Sequence, residues 1–367
     1  MIESVYIHIP FCKSICSYCD FCKMYYKEEW ALKYLQSLLL EIHDKYNGEE
    51  IKTLYIGGGT PSSLGIKELN ILFDIVNELN LSKDLEFTFE CNLNDINNEM
   101  LIVLRKNRVN RLSIGIESFN ENKQNFMGRH HTFEEAQKKI KMCRDIGFKN
   151  INVDLMYGIP NESLKDLKKD LDLILKLNPE HISTYSLIVE DNTRIGNDGV
   201  LPIPEELDAS MYELVCDKLD SKGYVHYEVS NFCKKGYECK HNLHYWDNDE
   251  YYGFGIGAAG YVDGIRYENT RSLTDYFKGI VRKKEEMLSK EDKMYNELML
   301  GFRKMEGISL KKFFKKYEVN MQDAFDLREV LKEDELVVEG EYIFVNPQYI
   351  YVMNEILIKI VWLWLKK

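Results

Sequence analysis

Ile9-Pro10-Phe11-Cys12-Lys13-Ser14-Ile15-Cys16-Ser17-Tyr18-Cys19-Asp20-Phe21 sets three cysteines in the spacing C-x3-C-x2-C. A loop this short can bring three sulfurs to one point, and the run before it, Ser4 to Ile9, reads as a short buried strand that would hold the loop rigidly. Three thiolates can hold a cubane iron-sulfur cluster and leave one iron free to bind a ligand. A closed zinc site completed by Cys22 or His8, or three unrelated thiols, fits the same spacing.

Working outward, 367 residues are too many for one small core and suit a large domain with a smaller one. A composition of 45% hydrophobic and 29% charged residues is that of an ordinary globular protein. The net charge of −12 disfavours nucleic acid and anionic membrane as general partners, despite local pairs such as Lys311-Lys312 and Lys315-Lys316. No basic-then-apolar signal region opens the chain, and nine cysteines, an odd number, do not form a disulfide framework. A reducing compartment, the cytoplasm, is expected.

Apolar periodicity predicts a helix from Glu28 to Lys45 and a strand from Lys52 to Ile56 that runs into Gly57-Gly58-Gly59-Thr60-Pro61. The alternation continues: helix Ile66 to Leu79, strand Leu85 to Glu90, helix Asn98 to Lys106, strand Arg111 to Ile116. Helix Phe133 to Ile146, strand Ile151 to Met156, helix Ser163 to Leu177 and strand His181 to Ile188 complete it. Six strand-then-helix units with short connections predict a parallel sheet. In such folds ligands sit at the carboxyl ends of the strands, where this chain carries unusual residues.

On the residues alone each has two readings. The glycine triplet is a turn, or a backbone that approaches a ligand closely. Glu90 is a capping acid or a receptor for hydroxyls, and Arg129 is a surface ion pair or a carboxylate fork. Asp154 lies in an apolar run, Val153 to Pro160, where an acid is expensive to bury unless something pairs with it. His241, in Cys239-Lys240-His241-Asn242-Leu243-His244-Tyr245-Trp246, is a metal ligand or a buried, hydrogen-bonded histidine in a loop.

The cysteine spacing with Tyr18 before the third cysteine, followed by Gly57-Gly58-Gly59-Thr60-Pro61, resembles radical S-adenosylmethionine (SAM) proteins. Tyr6-Ile7-His8-Ile9-Pro10-Phe11-Cys12 and Tyr18-Cys19-Asp20-Phe21 resemble the oxygen-independent coproporphyrinogen III oxidase-like family, most closely its heme-chaperone branch. The resemblance runs from about residue 3 to at least residue 310. It implies an α/β fold, an open (β/α)6 partial TIM barrel with a small C-terminal winged-helix-like helical domain. The corresponding division is a radical SAM core at 1–200, a barrel-closing extension at 201–288 and a C-terminal domain at 289–367.

It further implies a 4Fe-4S cluster on Cys12, Cys16 and Cys19, with SAM bound across the strand ends by Tyr6, Gly58, Gly59, Thr60, Glu90, Glu117, Arg129, Asp154 and Ile188. In this carry-over the glycine segment receives the amino group, Glu90 the ribose and Arg129 the methionine carboxylate, while the backbone at Ile188 lines the adenine. His241 to Trp246 matches the branch's H-N-x-x-Y-W motif, which makes His241 a candidate heme ligand. Three positions depart from the pattern: Leu93 where proline is usual, Glu117 where glutamine is common, and Ala259 where histidine is usual.

Two functions remain. One is a heme chaperone using the cluster and SAM; its partners would be heme, heme-acceptor proteins and an electron donor such as flavodoxin or ferredoxin. The other is coproporphyrinogen III oxidase, which decarboxylates its substrate, or radical chemistry on another tetrapyrrole. Oxidases of the family carry an N-terminal extension and a fourth cysteine two residues after the third, where this chain has Phe21. The chaperone is therefore expected. Toward the C-terminus, Glu335 to Asn346 predicts a hairpin turned at Glu339-Gly340-Glu341. The last helix, Ile350 to Leu365, is too short and too charged to span a bilayer.

Overall fold

A computed structural model describes residues 2–365. The chain forms two compact units, Met1–Lys218 with Glu250–Glu286, and Leu219–Asp249 with Met287–Lys367. The stretch 201–288 is thus shared between them: the His241 motif lies in the second unit and the Gly255 to Ala259 motif in the first.

In the first unit six parallel strands stand side by side in chain order: β1 (Ser4–Ile9), β2 (Ile51–Gly58), β3 (Leu81–Asn92), β4 (Arg111–Glu117), β5 (Asn150–Tyr157) and β6 (His181–Ser186). Tyr252–Phe254 adds a further parallel strand outside β1. Strand order without reversal is that of a partial barrel, whereas a doubly wound sheet reverses at a switch point. The helices between strands are α1 (Glu28–Lys45), α2 (Ile66–Val76), α3 (Asn98–Lys106), α4 (Glu121–Met127), α5 (Phe133–Asp145) and α6 (Leu164–Leu177). Of these α4 was not legible as a helix.

Local chemistry fixes the helix starts. Thr132 and Glu135 exchange side-chain and backbone hydrogen bonds in a capping box at α5, as do Ser163 and Asp166 at α6. Uncapped α1 instead begins with Glu28 and Glu29 and ends with His43 and Lys45, charges that complement its dipole.

Along each strand, one set of alternate residues is apolar and buried: Leu54 and Ile56, Phe87 and Phe89, Leu112 and Ile114, Ile151 and Val153. This set faces the helices, as the packing of Phe73 from α2 against Phe87 and Phe89 shows. The other set is polar and lines the inside of the sheet: Thr88 and Glu90, Arg111 and Ser113, Asn152 and Asp154, His181 and Ser183.

Glu41 of α1 is buried and accepts from Gly255 N at 2.8 Å, Tyr276 Oη at 2.6 Å and Asn269 Nδ2 at 2.8 Å. It thereby holds the segment after Tyr252–Phe254 against α1. The close approach requires glycine at 255, because a Cβ there would run into the Tyr34 hydroxyl and the His8 carbonyl.

In the second unit, antiparallel strands Leu336–Glu339 and Tyr342–Val345 form the expected hairpin, and Ile308–Ser309 pairs with its second strand. The final helix runs Met353–Leu365 after a 3-10 turn at Pro347–Val352, later than its expected start at Ile350. Among the described residues no helix is long and apolar enough to cross a membrane.

Candidate functional site

The cysteine loop leaves the end of β1 and is closed at its base by parallel pairing of Phe11–Cys12 with Met24–Tyr25. Ser17 pins its middle. The Ser17 hydroxyl donates to Phe126 O at 2.6 Å, its N–H donates to Met127 O at 3.2 Å, and its carbonyl accepts from Ile195 N at 3.2 Å. The Thr60 hydroxyl donates to Cys12 Sγ at 3.4 Å. All three thiols are free, with Cys12 buried and Cys16 and Cys19 half-buried. Burial pushes the Cys12 thiol up to about 11, so a bound metal would have to draw out its thiolate.

The closed zinc alternative loses both of its fourth ligands. His8 Nε2 faces the Cys22 carbonyl at 2.7 Å, which can only accept, so Nε2 carries the proton and Nδ1 accepts from Tyr6 Oη at 3.1 Å. Burial lowers the ring's pKa to about 4. Cys22 points instead to the Arg271 carbonyl, 3.9 Å from its sulfur. Among the described residues no three His, Cys, Asp or Glu side chains gather tightly enough to hold one metal ion. A cubane binds each thiolate at a different iron, so its ligands stand wider apart than those of a single ion.

The glycine segment is stitched to this loop. Gly59 N donates to Ile9 O and Thr60 N to Phe11 O. Gly58 has φ of +113°, and a Cβ on it would clash with Cε1 of the His8 ring. Gly58 N also donates to Glu90 Oε2 at 3.0 Å, while Tyr55 Oη donates to Glu90 Oε1 at 2.8 Å. Glu90 therefore braces the glycine turn. Tyr6 stands beside Tyr55, ring centroids 6.1 Å apart.

At the end of β4 the register with β5 slips between Gly115 and Glu117, leaving Ile116 as a bulge that re-aims the next side chain. Glu117 takes a left-handed backbone, φ +68°, and its Oε1 lies 3.0 Å from Arg129 Nη2. Arg129 Nη1 donates to Gly115 O at 3.0 Å, Nη2 donates to Tyr18 Oη at 3.4 Å, and buried Nε has no hydrogen-bond partner. The expected carboxylate fork is already engaged by an internal acid.

Asp154 accepts from Asn152 Nδ2 at 2.8 Å, and burial, then Glu117 and Glu90, push its carboxyl up to about 8. Asn152 extends the chain inward: Nδ2 donates to Ser113 Oγ at 2.8 Å, and Oδ1 meets His181 Nδ1 at 2.6 Å and Ser183 Oγ at 3.1 Å. Sequence reasoning passed over Tyr55, Ser113, Asn152, His181 and Ser183. The last four had a signal, polar residues two apart at Arg111 and Ser113, Asn152 and Asp154, and His181 and Ser183; Tyr55 of β2 had none.

Also missed was Lys123 of α4, which is buried and donates to Glu162 Oε1 at 2.6 Å, Asp170 Oδ2 at 3.0 Å and Met156 O at 2.9 Å. Asp170 in turn accepts from Ser118 Oγ and Phe119 N, fixing the turn directly after Glu117.

Two candidates differ from the setting expected for them. β6 ends at Ser186, two residues short of Ile188, which is 70% exposed. The expected strand ran on through Leu187 and Ile188, but past Ser186 the chain leaves the sheet: Leu187 joins the core, Val189 packs against it, and Ile188 between them points out. His241 is buried in the first turn of helix Lys240–Trp246, not in a loop, and its Nε2 meets Tyr245 Oη at 2.8 Å. Arg303 lies over the Trp246 ring at 5.5 Å.

Residues 6–174 match the Radical SAM superfamily and residues 288–348 match the HemN C-terminal domain. The heme chaperone HemW of Lactococcus lactis subsp. lactis (strain IL1403) is 40% identical over 331 residues, covering 88% of this chain and 87% of that protein. The chain belongs to the HemW family. HemW of Bacillus subtilis (strain 168) is likewise 40% identical over 338 residues, covering 88% and 89%. The solved coproporphyrinogen III oxidase (HemN) of Escherichia coli, a radical SAM enzyme, superposes with a TM-score of 0.86 over 97% of this chain and 89% of that one. At 20% identity this likeness establishes the fold.

The cofactors that go with a radical SAM core in the HemW family are a 4Fe-4S cluster and SAM. This chain's residues fit both. Three free soft donors share one pinned loop, beside a glycine backbone that admits no Cβ and an arginine with an unspent N–H.

Proposed function

We propose that this chain is a heme chaperone: it binds heme and passes it to acceptor proteins, using a cluster on Cys12, Cys16 and Cys19 and SAM across the strand ends. The observation that carries this reading is the near-full-length likeness, at 40% identity, to proteins named as heme chaperones. The intact His241 to Trp246 motif supports it.

A cluster held by Cys12, Cys16 and Cys19 would supply an open iron for the amino-acid end of SAM, and the protein supplies the rest. Gly58, Gly59 and Thr60 present backbone to the amino group, and Tyr6 and Tyr55 wall the pocket beside them. Glu90 keeps a lone pair on each oxygen for ribose hydroxyls while bracing Gly58. Arg129 receives the carboxylate, Glu117 and Asp154 flank it, and the backbone near Ile188 borders the adenine. His241 ligates heme iron through Nε2 once Tyr245 releases it. The proposed setting is the cytoplasm, with a flavodoxin or ferredoxin as electron donor.

The test is anaerobic incubation of the reconstituted protein with heme and, separately, with coproporphyrinogen III, SAM and a reductant. Heme is expected to be retained, and His241→Ala to weaken retention and shift the Soret band of what remains. Protoporphyrinogen IX in the second incubation would replace the chaperone reading with the oxidase. Heme retention unaffected by both His241→Ala and His244→Ala would remove the motif as ligand.

A further inference from the structure

Arg129 meets any incoming carboxylate with its fork partly spent. A guanidinium holds a carboxylate best through two parallel N–H groups, and the edge formed by Nε and Nη2 is one such pair. Here Nε is buried without a hydrogen-bond partner, while Nη2 lies 3.0 Å from Glu117 Oε1.

This arrangement is built into the backbone. The Ile116 bulge and the left-handed conformation of Glu117 aim the acid at Arg129. Gly115 leaves room for the pair: a Cβ there would meet Glu117 Oε1 at 3.1 Å and Arg129 Nη2 at 3.2 Å. Asp170 clamps the following residues through Ser118 Oγ and Phe119 N, so the turn cannot relax easily. Glu90 and Asp154 stand near enough that Glu117's charge acts on both. A ligand carboxylate at Arg129 would meet Glu117 as a like charge already seated on the same guanidinium.

We propose that Glu117 is an internal competitor: it holds Arg129 until a ligand carboxylate takes Nε and Nη2 together, and it thereby sets how strongly the site favours ligands that carry a carboxylate. This rests on reading the strand mouth as the SAM site. Glu117 is a positioning residue in this scheme, acting through Arg129. Its carboxylate disfavours the carboxylate end of SAM but not a sulfonium or ammonium group, so its removal changes selectivity more than overall affinity.

The test uses the full chain, reconstituted anaerobically, with calorimetric titration by SAM and by decarboxylated SAM, which lacks only the carboxylate. Glu117→Gln is expected to raise the ratio of the two affinities, SAM over decarboxylated SAM, roughly tenfold, with iron and sulfide content unchanged. Glu117→Ala is expected to move the ratio the same way, and it serves if the glutamine variant loses its cluster. A ratio that stays level or falls, with SAM still bound, overturns the competition. Failure of the unsubstituted protein to bind SAM overturns the site reading beneath it.

Discussion

Ser17 Oγ donates to the carbonyl of Phe126 at 2.6 Å, joining the cysteine loop to the last turn of α4 across 109 residues of sequence. The same residue makes two backbone bonds, so a loop with little apolar content keeps its shape through one anchored position. Ser17→Ala removes the side-chain bond, about 0.5 to 1.5 kcal/mol of local stability. Iron is expected to leave the reconstituted variant several-fold faster in the presence of a chelator. Equal rates in variant and parent would show that the backbone bonds suffice.

Lys123 lies between two buried carboxylates, and removing it leaves Glu162 and Asp170 facing each other without a counter-charge. Lys123→Met is expected to destabilise the first unit by about 3 to 5 kcal/mol. Adding Glu162→Gln and Asp170→Asn should recover part of that loss, since neutral amides tolerate burial better than unpaired acids. Thermal unfolding of the single and triple variants checks both statements.

Asp154 gives a pH dependence of definite sign. Its carboxyl is raised from 3.8 to about 8 in the fold, so between those values the folded chain holds a proton that the unfolded chain releases. The associated stability is complete below about pH 4 and is lost as pH climbs through 8. Asp154→Asn removes the titration. Relative to its parent the variant should therefore gain thermal stability more at pH 8 than at pH 5, and an identical offset at both would contradict the shift.

Arg129→Ala deletes the guanidinium that Glu117 contacts while leaving the three thiols in place. Loss of a charge-assisted contact is expected to weaken SAM binding by roughly one to two decades, about 1.5 to 3 kcal/mol. Calorimetry against SAM, with iron content measured alongside, tests it.

What could be read from the sequence follows the range of the forces involved. Capping residues such as Thr132 and Ser163 act within one turn, and the helices they start lie where periodicity put them. The hairpin at Gly340-Glu341 is equally local, since Gly340 supplies the positive φ of its turn. The cluster loop was legible because its ligands are close neighbours in the chain.

Other features depend on partners far away. Glu117 read as a simple replacement for an amide, but its effect comes from a bulge set by pairing with β5 and from a clamp to Asp170. Helix α4 carries only Phe126 and Met127 as large apolar residues, too few to show a period, and it is held through buried Lys123. Ile188 looked like a continuation of β6 because an apolar residue has the same identity whether it is buried or exposed.

The bonds to Glu41 also bear on how the first unit could be taken apart. Its three donors, Gly255, Asn269 and Tyr276, come from more than two hundred residues downstream, beyond Leu219–Asp249, the first of the two stretches that make up the other unit. A fragment cut after the sixth strand would retain this acid in α1 with none of those donors and would uncover the flank of β1 where Tyr252–Phe254 pairs. A fragment that keeps these donors must therefore be a spliced one, in which a designed linker connects residues 1–218 to residues 250–286.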